Sequence, residues 1–145
     1  MSPGARTLLP SLALYLLLGP VAAPAIAPPP PEAATVSPLI TRDLIGARHQ
    51  EVLMITVTYL PGGASVPHRH DAQVFVYVLE GQLRMQIRGQ PAVTLGPGQI
   101  FYEGPADVHQ VSANASATAP AKILVFMVKD KGKPASREVP DTPGA

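Results

Sequence analysis

His68 and His70 stand one residue apart in PHRHDAQVFVYVLEG (Pro67–Gly81), just ahead of an apolar run that closes on Glu80 and Gly81. On an extended strand, residues i and i+2 project from one face, so the two imidazoles look the same way. Neutral imidazole is a good ligand for Fe, Mn, Ni, Cu or Zn and a poor one for Ca or Mg. The pair therefore points to a divalent transition metal, although His-x-His by itself also arises by chance near turns. The strand that follows carries no acid before Glu80, so the remaining coordination positions must be filled from elsewhere.

The elements that would position such a pair are short. Apolar runs rich in β-branched residues (VLMITVTYL, VFVYVLE, LRMQI, AVTL, QIFY, VHQVS and KILVFMV) are separated by turn signals at Pro61, Glu80, Arg88, Gly96 and Gly104. Strands punctuated this often predict an all-β sandwich or barrel. No segment sustains a helical period, and no internal repeat is present.

With 145 residues the chain has room for one domain. Residues 1–27 are expected to be a secretory signal peptide: basic Arg6, the apolar stretch LLPSLALYLLLG, then small residues in PVAAPAIA. Cleavage after Ala23 or Ala27 fits this pattern, and an uncleaved anchor is the alternative. Residues 28–37 read as a proline-rich spacer, 38–129 as the folded domain and 130–145 as a polar tail, part of which could lie along the domain. Lys129, Lys131 and Lys133 form either a contact site or part of that solvated tail. There is no cysteine, which excludes disulfides and thiolate zinc sites. Export without disulfides suits a periplasmic or secreted protein with a real hydrophobic core. The chain has 11 basic and 10 acidic side chains. Loss of Arg6 with the leader balances them, so neither nucleic acid nor, after cleavage, a membrane is expected as a partner.

Gly62, then His68 and His70, then a strand ending YVLEG resembles the first conserved motif of the cupins. GPGQIFYEGPADVH, ending at His109, resembles the second, which delivers the third histidine in that family. The resemblance runs from about Val52 to Val128. It implies a double-stranded β-helix (jelly-roll) barrel, often a homodimer, with a small-molecule ligand or substrate in the barrel mouth. It also implies His68, His70 and His109 around one metal, a set that leaves positions open for water or substrate. Two departures stand out. The glutamate usual four or five residues after the second histidine is replaced by Val74 and Phe75, with Gln73 just before. Gly104, Pro105 and Ala106 replace the family's Pro-x-Gly, and Asn114 arrives one residue late.

Continuing the alternation from His70 puts Ala72, Val74, Val76 and Val78 inward, so Val74 takes the glutamate's place and cannot bind metal. Gln73 turns inward only if a bulge intervenes. Glu103 shares a face with Phe101, where many cupins carry an apolar inward residue. It is either a fourth ligand or a rim residue in water, with Arg84 an alternative charge partner, and two ligand sets stay open: three histidines alone, or three histidines with Glu103. Phe75, Tyr77, Met85 and Tyr102 are candidate pocket residues, depending on register. Arg84 and Arg88 share a face that would either hold a substrate carboxylate or be solvated. Asp107 would orient a histidine or cap a turn, and His49 has no place in the pattern. The functional expectation is a metal-dependent oxygenase, isomerase or lyase acting on a small polar molecule, with Glu103 doing acid-base work if it is not a ligand. The alternatives are a non-catalytic ligand- or metal-binding or sensing module, and a metal-free barrel kept for its dimer surface.

Overall fold

In the computed structural model, which describes residues 33–140, every regular element is a strand. The order is β1 (Ala34–Asp43), β2 (Gln50–Tyr59), β3 (Ala64–Ser65), β4 (His68–Arg69), β5 (Gln73–Glu80), β6 (Leu83–Ile87), β7 (Val93–Leu95), β8 (Ile100–Glu103), β9 (His109–Asn114), β10 (Ala121–Asp130) and β11 (Arg137–Glu138). One sheet runs β1-β2-β10-β5-β8; the other runs β11-β4-β9-β6-β7, with β3 also paired to β9. All of these pairings are antiparallel.

The core lies between the two sheets and is built by alternation. On β5, Val74, Val76 and Val78 are buried while Phe75, Tyr77 and Leu79 are exposed. On β10, Ile123, Val125 and Met127 turn inward, joined by Ile55, Val57 and Tyr59 of β2 and by Leu83 and Met85 of β6. A period of two with one face buried pins the register, because a one-residue slip would turn every one of these side chains out.

Two expected boundaries shift. Strand β1 begins at Ala34, inside the expected spacer, and pairs with β2 from Ala34↔Tyr59 to Asp43↔Glu51. Proline is tolerated there because β1 is an edge strand, and the register is irregular between Pro38 and Ile40. The expected tail also contributes, since β11 pairs with β4. Lys129 is not part of a surface cluster. As the last inward residue of β10 it is buried, 2.5 Å from Glu51 Oε1 and bonded to the carbonyls of Asp130 and Lys133. Lys131 pairs separately with Asp43. The leader expected over residues 1–27 lies outside the described residues.

Gly81, between β5 and β6, has φ of +73°, and a Cβ there would meet the Pro120 carbonyl oxygen at 2.6 Å. Gly89, between β6 and β7, has φ of +83° and open space around it. Gly89→Ala is therefore expected to cost about 1–2 kcal/mol, the left-handed conformation alone. Gly81→Ala should cost roughly a further 1–3 kcal/mol for overpacking. Urea unfolding of the two variants checks this; equal losses would mean that the approach to Pro120 carries no energy.

Candidate metal centre

Strands β4 and β9 bring the histidines together. Their register pairs His68 with His109, and His70 follows the end of β4. The imidazole centroids lie 4.8 Å apart for His68–His70 and 5.1 Å for His68–His109. One donor atom from each ring lies within 4.8 Å of the other two. His109 enters this group through a bulge. Strand β6 pairs Gln86 with Val111 but Ile87 with His109, so Gln110 is an extra residue on β9. The extra residue lets His109 and Ser112, three positions apart, both face inward. The chain leaves β4 at Asp71 with φ of +50°, a conformation that Asp adopts more readily than most residues. Arg69 at 2.6 Å and Arg137 at 2.7 Å pair with its carboxylate, and the Arg137 hydrogen bond keeps that carboxyl below its ordinary pKa.

Each imidazole has its Nδ1 committed. His68 Nδ1 lies 2.8 Å from the Val66 carbonyl oxygen, and His70 Nδ1 lies 2.7 Å from that of Ala135. A carbonyl oxygen only accepts, so both Nδ1 atoms donate and both Nε2 atoms keep a lone pair. His109 Nδ1 is 3.1 Å from Glu103 Oε1. The ionised carboxylate also only accepts, so Nε2 is again the free nitrogen, and it is buried without a hydrogen-bond partner. An oxygen acceptor on the far nitrogen is how metal-binding histidines are oriented. Burial lowers the pKa of His68; the Val66 hydrogen bond opposes this, the other two imidazoles add to it, and the ring is neutral at pH 7. Phe101 stacks on His109 with ring centroids 5.6 Å apart.

Val74 is fully buried in the inward place, and Gln73 faces outward. Gln73 therefore does not restore the missing carboxylate. Glu103 does enter the barrel: the register sets it directly across from Val74, where facing Cβ atoms are about 5 Å apart, and it is 2% exposed. The carboxylate comes from the neighbouring strand on the same rung. Its Oε1 binds His109, and its Oε2 lies 3.6 Å from His70 Nε2. Burial pushes the Glu103 pKa up, but the His109 hydrogen bond and, where they are protonated, the neighbouring imidazoles outweigh it, and the carboxyl ends below its ordinary range. Oε2 has no hydrogen-bond partner. A buried anion with a free oxygen, beside three free imidazole nitrogens, is an arrangement that a divalent cation satisfies.

A cavity of about 230 Å³ opens beside the histidines, and Met85 lines it as expected. Phe75, Tyr77 and Tyr102 do not; they stand 45%, 45% and 50% exposed on the outer face. Inward Val74 and Glu103 fix the opposite parity for those side chains on β5 and β8. Arg84 is exposed, and Arg88 donates to Gln110 Oε1 at 2.6 Å and to the Pro140 carbonyl at 2.8 Å. Neither lines the cavity, so they form no carboxylate clamp there, and Arg84 is no partner for Glu103. Asp107 accepts from the Gly104 N–H at 2.7 Å and caps the turn before His109. His49 is exposed. The residues that went unread are Tyr59 and Ser112, whose hydroxyls lie 2.7 Å apart, with Ser65 3.1 Å from Tyr59. Tyr59 shares the parity of Ile55 and Val57, a signal present in the sequence.

No curated protein matches the chain. Among solved structures it is similar to the DMSP lyase DddQ from Ruegeria pomeroyi DSS-3, with TM-score 0.52 and 21% identity, covering 60% of this chain and 42% of that one. It is also similar to an oxalate oxidase in complex with the substrate analogue glycolate, with TM-score 0.59 and 23% identity, covering 76% and 57%. An RmlC-like cupin from Shewanella frigidimarina NCIMB 400 gives TM-score 0.54 and 17% identity, covering 70% and 80%. The chain thus spans about half the length of the first two, and at these identities the likeness concerns the fold. The family model described as "Cupin domain" matches residues 55–127, a span that takes in all three histidines and Glu103. With half of its length covered, the chain belongs to the cupin family.

Proposed function

We propose that this cupin binds one divalent transition metal through His68, His70 and His109, with Glu103 as the anionic fourth group, and that it is a metal-dependent enzyme for a small molecule held in the barrel. The observation that carries the reading is the set of three Nδ1 hydrogen bonds, which leaves each Nε2 free. The donor set fits: neutral imidazoles and one carboxylate suit Fe, Mn, Ni, Cu or Zn, and Glu103 Oε2 and His109 Nε2 are buried without partners. A metal bound there supplies Lewis-acid or oxygen chemistry. Glu103, ionised at neutral pH, holds His109 through Oε1, and where it does not itself coordinate the metal its Oε2 is offered to a proton of the bound molecule. The apolar walls keep water from the rest of that molecule. An oxygenase, isomerase or lyase reaction is consistent with these parts, and a lyase and an oxidase are among the proteins that share the fold. Capture of a small ligand without turnover is the second reading, favoured by Glu103 being the one buried acid of the cavity lining.

Export rests on the leader-like order of residues 1–27, and pairing of two copies on an exposed apolar face. Phe75, Tyr77 and Tyr102, with Ile100 at 73% exposure, cover the outer side of β5 and β8, more apolar area together than isolated surface residues present. Phe75→Lys with Tyr102→Lys is expected to convert a dimer into a monomer in sedimentation velocity; an unchanged species would place the interface elsewhere or show none.

The metal is tested on tag-free protein recovered from the periplasm without chelator, a recovery that itself tests export. About one equivalent of transition metal per chain is expected, and none in His68→Ala. Glu103→Gln keeps the shape and removes the charge. A loss of affinity comparable to that of His109→Ala supports coordination, whereas a tenfold loss alone would reduce Glu103 to orienting His109.

The C-terminal strap bears on the same site. Ala135 offers the carbonyl that fixes His70, β11 sets Glu138 opposite His68, and the Val139 N–H donates to the Pro67 carbonyl at 3.0 Å. Truncation after Pro134 is expected to lower metal affinity about 10–100-fold, the usual loss when an orienting partner is removed. Chelator competition measures it, with circular dichroism to confirm the fold. Full affinity without the strap would mean that His70 needs no such partner.

A further inference from the structure

The cavity has two polar ends and an apolar middle. One end is the histidine group with Glu103; the other is the hydroxyl cluster of Tyr59, Ser65 and Ser112. His109 and Ser112 lie on one face of β9, about 7 Å of strand apart by the pleat repeat. Between the ends the walls are Val57, Val76, Met85, Ile123, Val125 and Met127. No lysine or arginine lines the cavity among the described residues, and its acids are Glu103 and, at the exposed mouth, Glu138.

The hydroxyl cluster is incompletely served. Three hydroxyls bring three protons, and two hydrogen bonds join them: Tyr59–Ser112 at 2.7 Å and Tyr59–Ser65 at 3.1 Å. Ser112 Oγ turns to Met85 Sδ at 3.7 Å, and a thioether is a weak acceptor. An oxygen entering the cavity would be a better partner for that proton. Tyr59 and Ser112 are both buried and line the cavity.

From these observations, and resting on the metal reading above, we infer that the ligand is a neutral, compact molecule with an apolar body and one oxygen at each end, of the size and kind of a para-substituted phenol. Its first hydroxyl meets the histidine end beside Glu103, and its second meets Tyr59 and Ser112. Size follows from volume: a cavity of about 150 Å³ takes benzene, so about 230 Å³ takes roughly nine non-hydrogen atoms by the same proportion. Dicarboxylates are disfavoured because a second carboxylate would be buried at the hydroxyl end with no cation to meet it. Polyols are disfavoured because the middle of the cavity offers their hydroxyls nothing.

The test uses the full-length protein loaded with zinc, so that no redox turnover intervenes, and calorimetry with three probes. These are 4-hydroxybenzyl alcohol, benzyl alcohol (which lacks the far hydroxyl) and malate (equal in size to the first but charged at both ends). 4-Hydroxybenzyl alcohol is expected to bind at least tenfold more tightly than malate. Tyr59→Phe should weaken it about tenfold while leaving benzyl alcohol and the zinc content unchanged. Val57→Phe, which fills the cavity, should abolish binding of both alcohols. Because Val57→Phe can fail to fold, the conservative Tyr59→Phe result decides. Failure to load zinc overturns the metal reading and this inference with it. Normal zinc loading with malate binding as well as the phenol, with no phenol binding, or with Tyr59→Phe without effect, overturns the ligand class alone.

Discussion

A carboxylate enclosed in an apolar barrel is the constraint on which the site depends. Glu103 is buried and ionised, and an anion so placed is stable only where hydrogen bonds or positive charge meet it. His109 meets one oxygen through Nδ1, and that bond in turn decides which nitrogen of His109 is left free. The same division is made twice more by backbone carbonyls, from Val66 just before β4 and from Ala135 in the strap. Three elements far apart in sequence thus set three imidazoles to one tautomer. The other oxygen of Glu103 is left without a partner, so the protein alone does not complete its own charge arrangement.

The exchange of Val74 for a carboxylate on β8 is physically small. Val74 and Glu103 face each other across one rung of an antiparallel pair, so moving the acid between strands shifts its Cβ by about 5 Å while its side chain still projects into the same barrel. Valine at the old position fills space that an unpaired second acid would have made costly. The strand after His70 carries no inward acid, whereas the adjacent strand on the same rung sets a carboxylate against His109. Register therefore carries the chemistry here as much as residue type does.

How much of this the sequence disclosed follows the range of each interaction. The strands and the inward set Ala72, Val74, Val76 and Val78 are local matters of period two, and they are legible. Glu103 was legible as a candidate, but its partner was not, because the β5–β8 register joins residues about thirty apart. The parity of β5 was available and would have sent Phe75 and Tyr77 outward; allowing for an unseen bulge kept them as pocket residues. The bulge that does occur is at Gln110, and it hid Ser112 by breaking the alternation from His109. The strap was the least legible of all. A two-residue strand in a polar, proline-rich tail has no periodicity to show, and what holds it is β4 and Asp71, elements it meets only in the fold.

Charge also bears on the lack of a lysine or arginine in the cavity wall among the described residues. One divalent ion bound beside one carboxylate would leave a single positive charge at the histidine end. A hydroxyl ligand would balance that charge only by losing its proton from the site altogether, because a proton kept on Glu103 leaves the total unchanged. A monoanion formed in place is thereby neutralised without any charge crossing the apolar middle of the cavity, where burial would oppose it. A molecule arriving with two fixed negative charges would overshoot the balance and leave the second at the hydroxyl end with no cation to meet it. On the proposed ligand class, the lack of lysine and arginine in the cavity wall among the described residues would then be part of its selectivity, with the histidine end admitting one negative charge and the hydroxyl end asking only for an oxygen.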